Sequence, residues 1–166
     1  MADLNKELKK HASRIVDILL REYPDAEISL KYSDSFELLV AVILSAQCTD
    51  DRVNMVTEIL FKKYRTIEDY ANSNSKEFSK DIASITYFNQ KAKWIVDTAR
   101  YIIEMHRGED PSTMEELLEL PGVGRKTANV VLQHAYGETE GIAVDTHVIR
   151  LSRRMGLVEK RNRDAI

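Results

Sequence analysis

The stretch Leu120-Pro121-Gly122-Val123-Gly124-Arg125-Lys126-Thr127-Ala128 decides how the centre of this chain folds. It follows a short helix, which the two overlapping capping boxes in Ser112-Thr113-Met114-Glu115-Glu116 predict. It opens a second helix, in which apolar residues recur at helical spacing. Two glycines that flank one apolar residue let the chain reverse direction tightly. The sequence therefore predicts a helix–hairpin–helix over about residues 113–137, with Val123 anchoring the turn in the core.

The turn Gly122-Val123-Gly124 also has the properties of an anion site. At the start of the following helix the backbone N–H groups point outward, and the helix dipole is positive there. Such a turn binds phosphate without reading bases, so it suits one strand of a nucleic-acid backbone. The alternative is an ordinary connection between two helices, because short Gly-x-Gly patterns are common.

Two charged residues near this turn are candidates for catalysis. Lys126 lies in the first helical turn, where the helix dipole and Arg125 disfavour a further positive charge and so favour a neutral, nucleophilic amine. The alternative is a lysine that contacts phosphate or solvent. Asp145 begins the last predicted helix, where it is either a catalytic acid or a plain N-cap.

Apolar residues at spacings of three and four predict helices along the rest of the chain, and no alternating pattern predicts a strand. The predicted helices cover residues 4–22, 36–46, 50–64, 67–71, 75–84 and 89–106. The second of them is apolar nearly all round and is expected to be buried, with Ser35 as its N-cap. The predicted fold class is all-α.

Composition limits the kind of protein. Of the 166 residues, 43% are hydrophobic, and no stretch approaches the roughly 18 apolar residues that span a bilayer. The N-terminus Met1-Ala2-Asp3-Leu4-Asn5-Lys6 is polar, unlike a signal peptide. We therefore expect a cytoplasmic protein with no membrane partner, associated with the nucleoid if its source is a bacterium or an archaeon.

Cysteine content and charge limit the kind of site. Cys48 is the single cysteine, which excludes an internal disulfide and any metal site built from several thiolates of this chain. The net charge of −3 is unfavourable for binding nucleic acid. However, residues 1–120 contain 16 basic and 22 acidic residues, whereas residues 121–166 contain 8 and 5. Positive charge is thus concentrated around the turn, although a solvated helical surface explains this equally well.

Three motifs together resemble the endonuclease III family of DNA glycosylases. Residues 120–131, followed by Val144-Asp145-Thr146-His147, are similar to its helix–hairpin–helix and Gly/Pro-Asp motif. The segment Leu44-Ser45-Ala46-Gln47-Cys48-Thr49-Asp50 is similar to the connection between its early helices. The resemblance implies an all-α helix–hairpin–helix DNA glycosylase fold, with two helical lobes flanking a DNA-binding cleft. Residues 1–25 would belong to the second lobe, residues 26–137 would form the first helical domain, and residues 138–166 would begin the second lobe, which is incomplete.

The resemblance also implies residue roles. Lys126 falls on the nucleophile, Asp145 on the catalytic aspartate, and Gln47 on the glutamine that enters the space left by an extruded base. The implied DNA contacts also include Gly122, Val123, Gly124, Arg125, Thr127 and His147. The alternatives are a structural role for His147 and a buried polar cap between two helices for Gln47.

The implied activity is base excision repair of damaged double-stranded DNA. A glycosylase of this type excises oxidised or ring-saturated pyrimidines and nicks the strand by β-elimination through a lysine imine. The alternative function is a non-catalytic helix–hairpin–helix DNA-binding module, in which the turn only binds phosphate.

The chain departs from the family pattern at its end. Family members usually continue into a four-cysteine motif that holds a [4Fe–4S] cluster, whereas this sequence stops at Asp164-Ala165-Ile166. We expect no metal or cofactor within the chain, and a cluster only if such a segment follows residue 166. A truncation is the favoured explanation. We expect a monomer, with self-association if the apolar face of the first helix lacks its packing partner.

Overall fold

The computed structural model describes residues 2–159, and within this range every regular element is helical, which confirms the all-α prediction. The helices are α1 (Ala2–Glu22), α2 (Ser35–Ser45), α3 (Asp50–Lys63), α4 (Ile67–Ala71), α5 (Ser75–Asp81), α6 (Phe88–His106), α7 (Met114–Glu119), α8 (Arg125–Val131) and α9 (Thr146–Arg154). Helix α8 continues into a π-helical turn, Leu132–Tyr136, which ends at Gly137. Among the described residues no helix is both long and apolar enough to cross a membrane.

Helix α2 begins one residue before its predicted start, whereas α3 begins at Asp50 as predicted. Helix α2 begins at Ser35, and its N-cap is Asp34, whose carboxylate accepts a hydrogen bond from the N–H of Glu37 at 2.8 Å. The prediction that Ser35 is the N-cap is therefore wrong. Helix α3 is capped by the Thr49 hydroxyl, so Asp50 is an acidic residue of the first turn. Ser, Thr and Asp are comparable N-caps, and the sequence does not distinguish adjacent ones.

Helix α2 lies at the centre of the helices from α2 to α8 and leads into the segment that carries Gln47. Its residues from Phe36 to Leu44 are buried except Glu37, which is half-buried, and Leu38 and Leu44 are fully inaccessible. Helices α3, α6 and α8 pack around it, and α6 in turn packs against α4 and α5. A helix that is apolar on all sides must be enclosed by others, as the sequence predicted.

The chain divides into two compact units. One comprises Ser29–Ala143 and contains α2 to α8, and the other contains α1 and α9. Within the second unit, the ring Nε2 of His11 lies 2.7 Å from the carbonyl oxygen of Met155. The loop after α8 belongs to the larger unit, where the amide of Asn129 donates a hydrogen bond to the Ile142 carbonyl at 3.4 Å. Residues 138–143 therefore lie with α8, and residues 26–28 lie with α1.

Helix α1 exposes several large apolar side chains. They are Leu8, Val16, Ile18, Leu19 and Leu20, each more than 40% accessible. Such an exposed face was expected from the sequence, and the self-association that it favours stays a prediction.

Candidate nucleic-acid interface

The hairpin between α7 and α8 is held in place by hydrogen bonds and burial. Helix α7 begins with a capping box, in which the Thr113 hydroxyl accepts from the Glu116 N–H and the Glu116 carboxylate accepts from the Thr113 N–H. The buried hydroxyl of Thr98, on α6, donates a hydrogen bond to the Pro121 carbonyl at 3.0 Å. Val123 is 8% exposed, so it anchors the turn as predicted. These contacts fix the turn relative to α6.

The two glycines of the turn have different structural roles. Gly122 has a φ of +79°, and a Cβ built on it would lie 2.6 Å from the ring of Trp94. Gly124 is extended, with a φ of −105°, and a Cβ there would meet no described atom within 4 Å. The fold therefore requires glycine at position 122, whereas glycine at 124 keeps the space before α8 open.

The first turn of α8 presents its backbone toward that space. Its N-cap is Gly124, and no side-chain cap bond is formed there within the described structure. Arg125 and Lys126 are exposed, and Thr127 is half-buried. Backbone N–H groups at an uncapped helix start attract an anion, and the flanking cationic side chains add to that attraction.

Asp145 is the N-cap of α9. Its Oδ1 accepts hydrogen bonds from the N–H groups of His147 and Val148, both at 2.9 Å. The capping role that the sequence left open is thus present. The two bonds hold the half-buried carboxylate in a fixed orientation at the positive end of the helix dipole.

Helix α9 carries a row of basic side chains. Arg150, Arg153 and Arg154 line a groove on this helix together with Thr146 and Ile149. The exposed imidazole of His147 lies 3.4 Å from the guanidinium of Arg150, measured from Nδ1. The arginines of α9 thus account for part of the positive charge in the final part of the sequence.

Gln47 lies in the turn between α2 and α3. Its φ is +56°, in the left-handed region that residues other than glycine rarely adopt, and the residue is exposed. A buried polar cap, the alternative that the sequence left open, does not describe an exposed residue. A glutamine held in a left-handed conformation at an exposed turn is an uncommon and costly arrangement.

A buried lysine that belongs to none of the sequence motifs supports this turn. Lys91 on α6 is 1% exposed, and its Nζ donates hydrogen bonds to the carbonyls of Leu44 at 2.8 Å and Ala46 at 2.6 Å. Burial lowers the pKa of Lys91 from its usual value. The signal in the sequence is the position of Lys91, which shares the apolar stripe of α6 with Ala92 and Ile95, whereas Lys93 lies outside that stripe and is exposed.

The predicted site residues lie on both units. Gln47 and the hairpin residues 122–127, including Lys126, belong to the larger unit. Asp145 and His147 begin α9, in the other unit.

The residues of this chain do not fit a [4Fe–4S] cluster. Such a cluster requires four thiolate ligands or their equivalents, and the sequence contains Cys48 alone. Within residues 2–159, no three His, Cys, Asp or Glu side chains are grouped in a way that could hold a metal ion.

Comparison with known proteins provides independent evidence for the family of this chain. Residues 40–166 match the family model described as HhH-GPD superfamily base excision DNA repair protein. Endonuclease III of Synechocystis sp. is 52% identical over 151 residues, which cover 91% of this chain and 69% of that protein. Endonuclease III of Bacillus subtilis is 53% identical over 135 residues, which cover 81% of this chain and 61% of that protein.

A solved structure resembles this fold closely. It is that of a trapped covalent intermediate between endonuclease III and DNA, with 46% sequence identity and a TM-score of 0.87. The matched region covers 91% of this chain and 70% of that one. The chain thus spans between 61% and 70% of the length of these relatives.

Proposed function

Because this chain belongs to the HhH-GPD superfamily of base excision DNA repair proteins, we propose that it is a bifunctional DNA glycosylase and apurinic/apyrimidinic (AP) lyase. Its substrate is double-stranded DNA that carries an oxidised or ring-saturated pyrimidine. It acts as a monomer in the cytoplasm. The observation that carries the proposal is the position of Lys126, exposed in the first turn of a helix whose start is open to a phosphate.

Binding precedes chemistry in this proposal. The uncapped start of α8 binds the phosphate backbone of one strand and reads no bases. The damaged nucleotide then leaves the base stack, which costs least for a lesion that stacks poorly. Gln47 occupies the space that the nucleotide vacates, which its exposed position in the α2–α3 turn allows.

Lys126 and Asp145 carry the chemistry. The Nζ amine of Lys126 attacks C1′ of the damaged nucleoside while the bond from C1′ to the base breaks, and an amine proton passes to the departing base. The carboxylate of Asp145 stabilises the positive charge that develops on the sugar. The C1′–O4′ bond then opens, with a proton passing to O4′, and leaves an imine between C1′ and Nζ. The imine acidifies the C2′ proton, and loss of that proton expels the 3′ phosphate and nicks the strand.

A strand-cleavage assay tests this function directly. We expect the protein to release the base from a duplex with one ring-saturated thymine and to cut the strand there, leaving the undamaged duplex intact. Binding of the damaged duplex without base release would support the alternative, a non-catalytic DNA-binding module.

The turn glycines provide a prediction about DNA affinity. We expect Gly124→Ala to fold normally and to weaken binding of damaged and undamaged duplexes alike, because its methyl group blocks the approach of the backbone. Gly122→Ala should also weaken binding, with a loss of about 2 kcal/mol in stability from the strained φ and the displaced Trp94. Fluorescence anisotropy and urea unfolding measure the two effects. Unchanged affinity of folded Gly124→Ala would mean that the hairpin does not contact DNA.

The Gln47 turn provides a prediction about base extrusion. We expect Gln47→Ala to slow excision of a paired lesion by about tenfold, because extrusion costs a few kcal/mol that a gap-filling side chain offsets. Cleavage of a pre-formed abasic site should keep its rate, since no base is extruded there. Single-turnover assays of both reactions provide the comparison, and equal slowing would contradict a gap-filling role.

A further inference from the structure

The turn that carries Gln47 is fixed through carbonyl groups at the end of α2. A helix end leaves its last carbonyls without partners inside the helix. The carbonyls of Leu44 and Ala46 both accept hydrogen bonds from Nζ of Lys91, and that of Ser45 accepts one from the N–H of Cys48 at 3.0 Å. The backbone on both sides of the left-handed Gln47 is therefore held in place.

A lysine at this position is costly. Lys91 is as buried as its apolar neighbours on α6, and an ammonium loses its hydration there. An uncharged side chain of similar length would pack the same space without that loss. Sequences depart from such local rules mainly at functional sites, so the lysine points to a role beyond packing.

The same helix also holds the phosphate-binding hairpin. Lys91, Trp94 and Thr98 follow one another at spacings of three and four, so they lie along one side of α6. Trp94 lies against Gly122, and Thr98 donates a hydrogen bond to the carbonyl of Pro121. One stripe of α6 thus contacts the end of α2 and the hairpin, and it sets the distance between them.

We propose that Lys91 is a positioning residue for Gln47. Its buried ammonium holds the end of α2, so that Gln47 stands in a fixed place relative to the hairpin on the same helix. The proposal rests on the proposed function, because it assigns Lys91 to the base-extrusion step of that reaction.

A double-mutant cycle in the complete protein tests the role. We expect Lys91→Met to slow excision of a paired lesion by about tenfold and to leave cleavage of a pre-formed abasic site unchanged. In the Gln47→Ala background, Lys91→Met should add no further slowing, because residues that act through one another are not additive. Lys93→Met is the matched control, since it removes an exposed lysine from the same helix and should not alter either rate.

The alternative outcomes are distinct. Additive slowing in the double variant, or equal slowing of both reactions by Lys91→Met, would overturn the positioning role and leave the proposed function intact. If Lys91→Met fails to fold, Lys91→Gln replaces it, because its amide still donates to one carbonyl, and the same non-additivity is required. An unsubstituted protein that neither excises the base nor nicks abasic DNA would overturn the proposed function, and the role of Lys91 with it.

Discussion

Lys126→Ala is expected to abolish the covalent adduct that the unsubstituted protein forms with abasic-site DNA in the presence of borohydride. Reduction traps the imine that a catalytic amine must form, so the adduct requires the nucleophile itself. A lysine that only contacts phosphate forms no such adduct. The adduct appears as a slower band of labelled DNA on a denaturing gel.

The control for this experiment is the affinity of each variant for abasic-site DNA. Lys126→Ala should keep measurable DNA binding, because losing one phosphate contact removes only part of the electrostatic attraction. Arg125→Ala is the matched variant, since it removes an equal charge from the same helical turn and should still form the adduct at saturating protein. If the folded, complete protein binds abasic DNA without forming an adduct, Lys126 is not a nucleophile and the binding-module alternative replaces the enzyme.

The helices and the hairpin were predictable because their signals are local. Apolar periodicity identified each helix from α1 to α6, and the capping box at Thr113 with the glycines after Pro121 identified the turn. The wrong N-cap of α2 has an equally local cause, since Asp34 and Ser35 are adjacent and both suit the position.

The support of the candidate site was not predictable because it depends on contacts between distant segments. In the sequence Gly122 and Gly124 look equivalent, and only the structure shows that alanine at 122 meets both a left-handed φ and the ring of Trp94 from α6. The left-handed conformation of Gln47 likewise has no signal of its own. The carbonyls of Leu44 and Ala46 just before it are held by Lys91, a residue of the distant helix α6.

Asp145→Asn is expected to lower the rate of base excision by about a hundredfold, because it removes the negative charge that stabilises the developing positive charge on the sugar. The structure makes this substitution informative. Asn is as good an N-cap as Asp, so its side-chain oxygen can accept from the N–H groups of His147 and Val148 as Oδ1 does now. We therefore expect unfolding stability and DNA affinity close to those of the unsubstituted protein.

Two further substitutions separate the charge of Asp145 from its capping role. Asp145→Ser keeps a capping oxygen and loses the charge, so its excision rate should fall as far as that of Asp145→Asn while α9 remains capped. Asp145→Ala loses both, and should show a further loss of about 1 kcal/mol in unfolding stability. Single-turnover excision rates and urea midpoints for the three variants give the comparison. If Asn and Ser excised at the normal rate and only Ala were slow, the carboxylate would act as a helix cap alone, because its charge would then contribute nothing to the reaction.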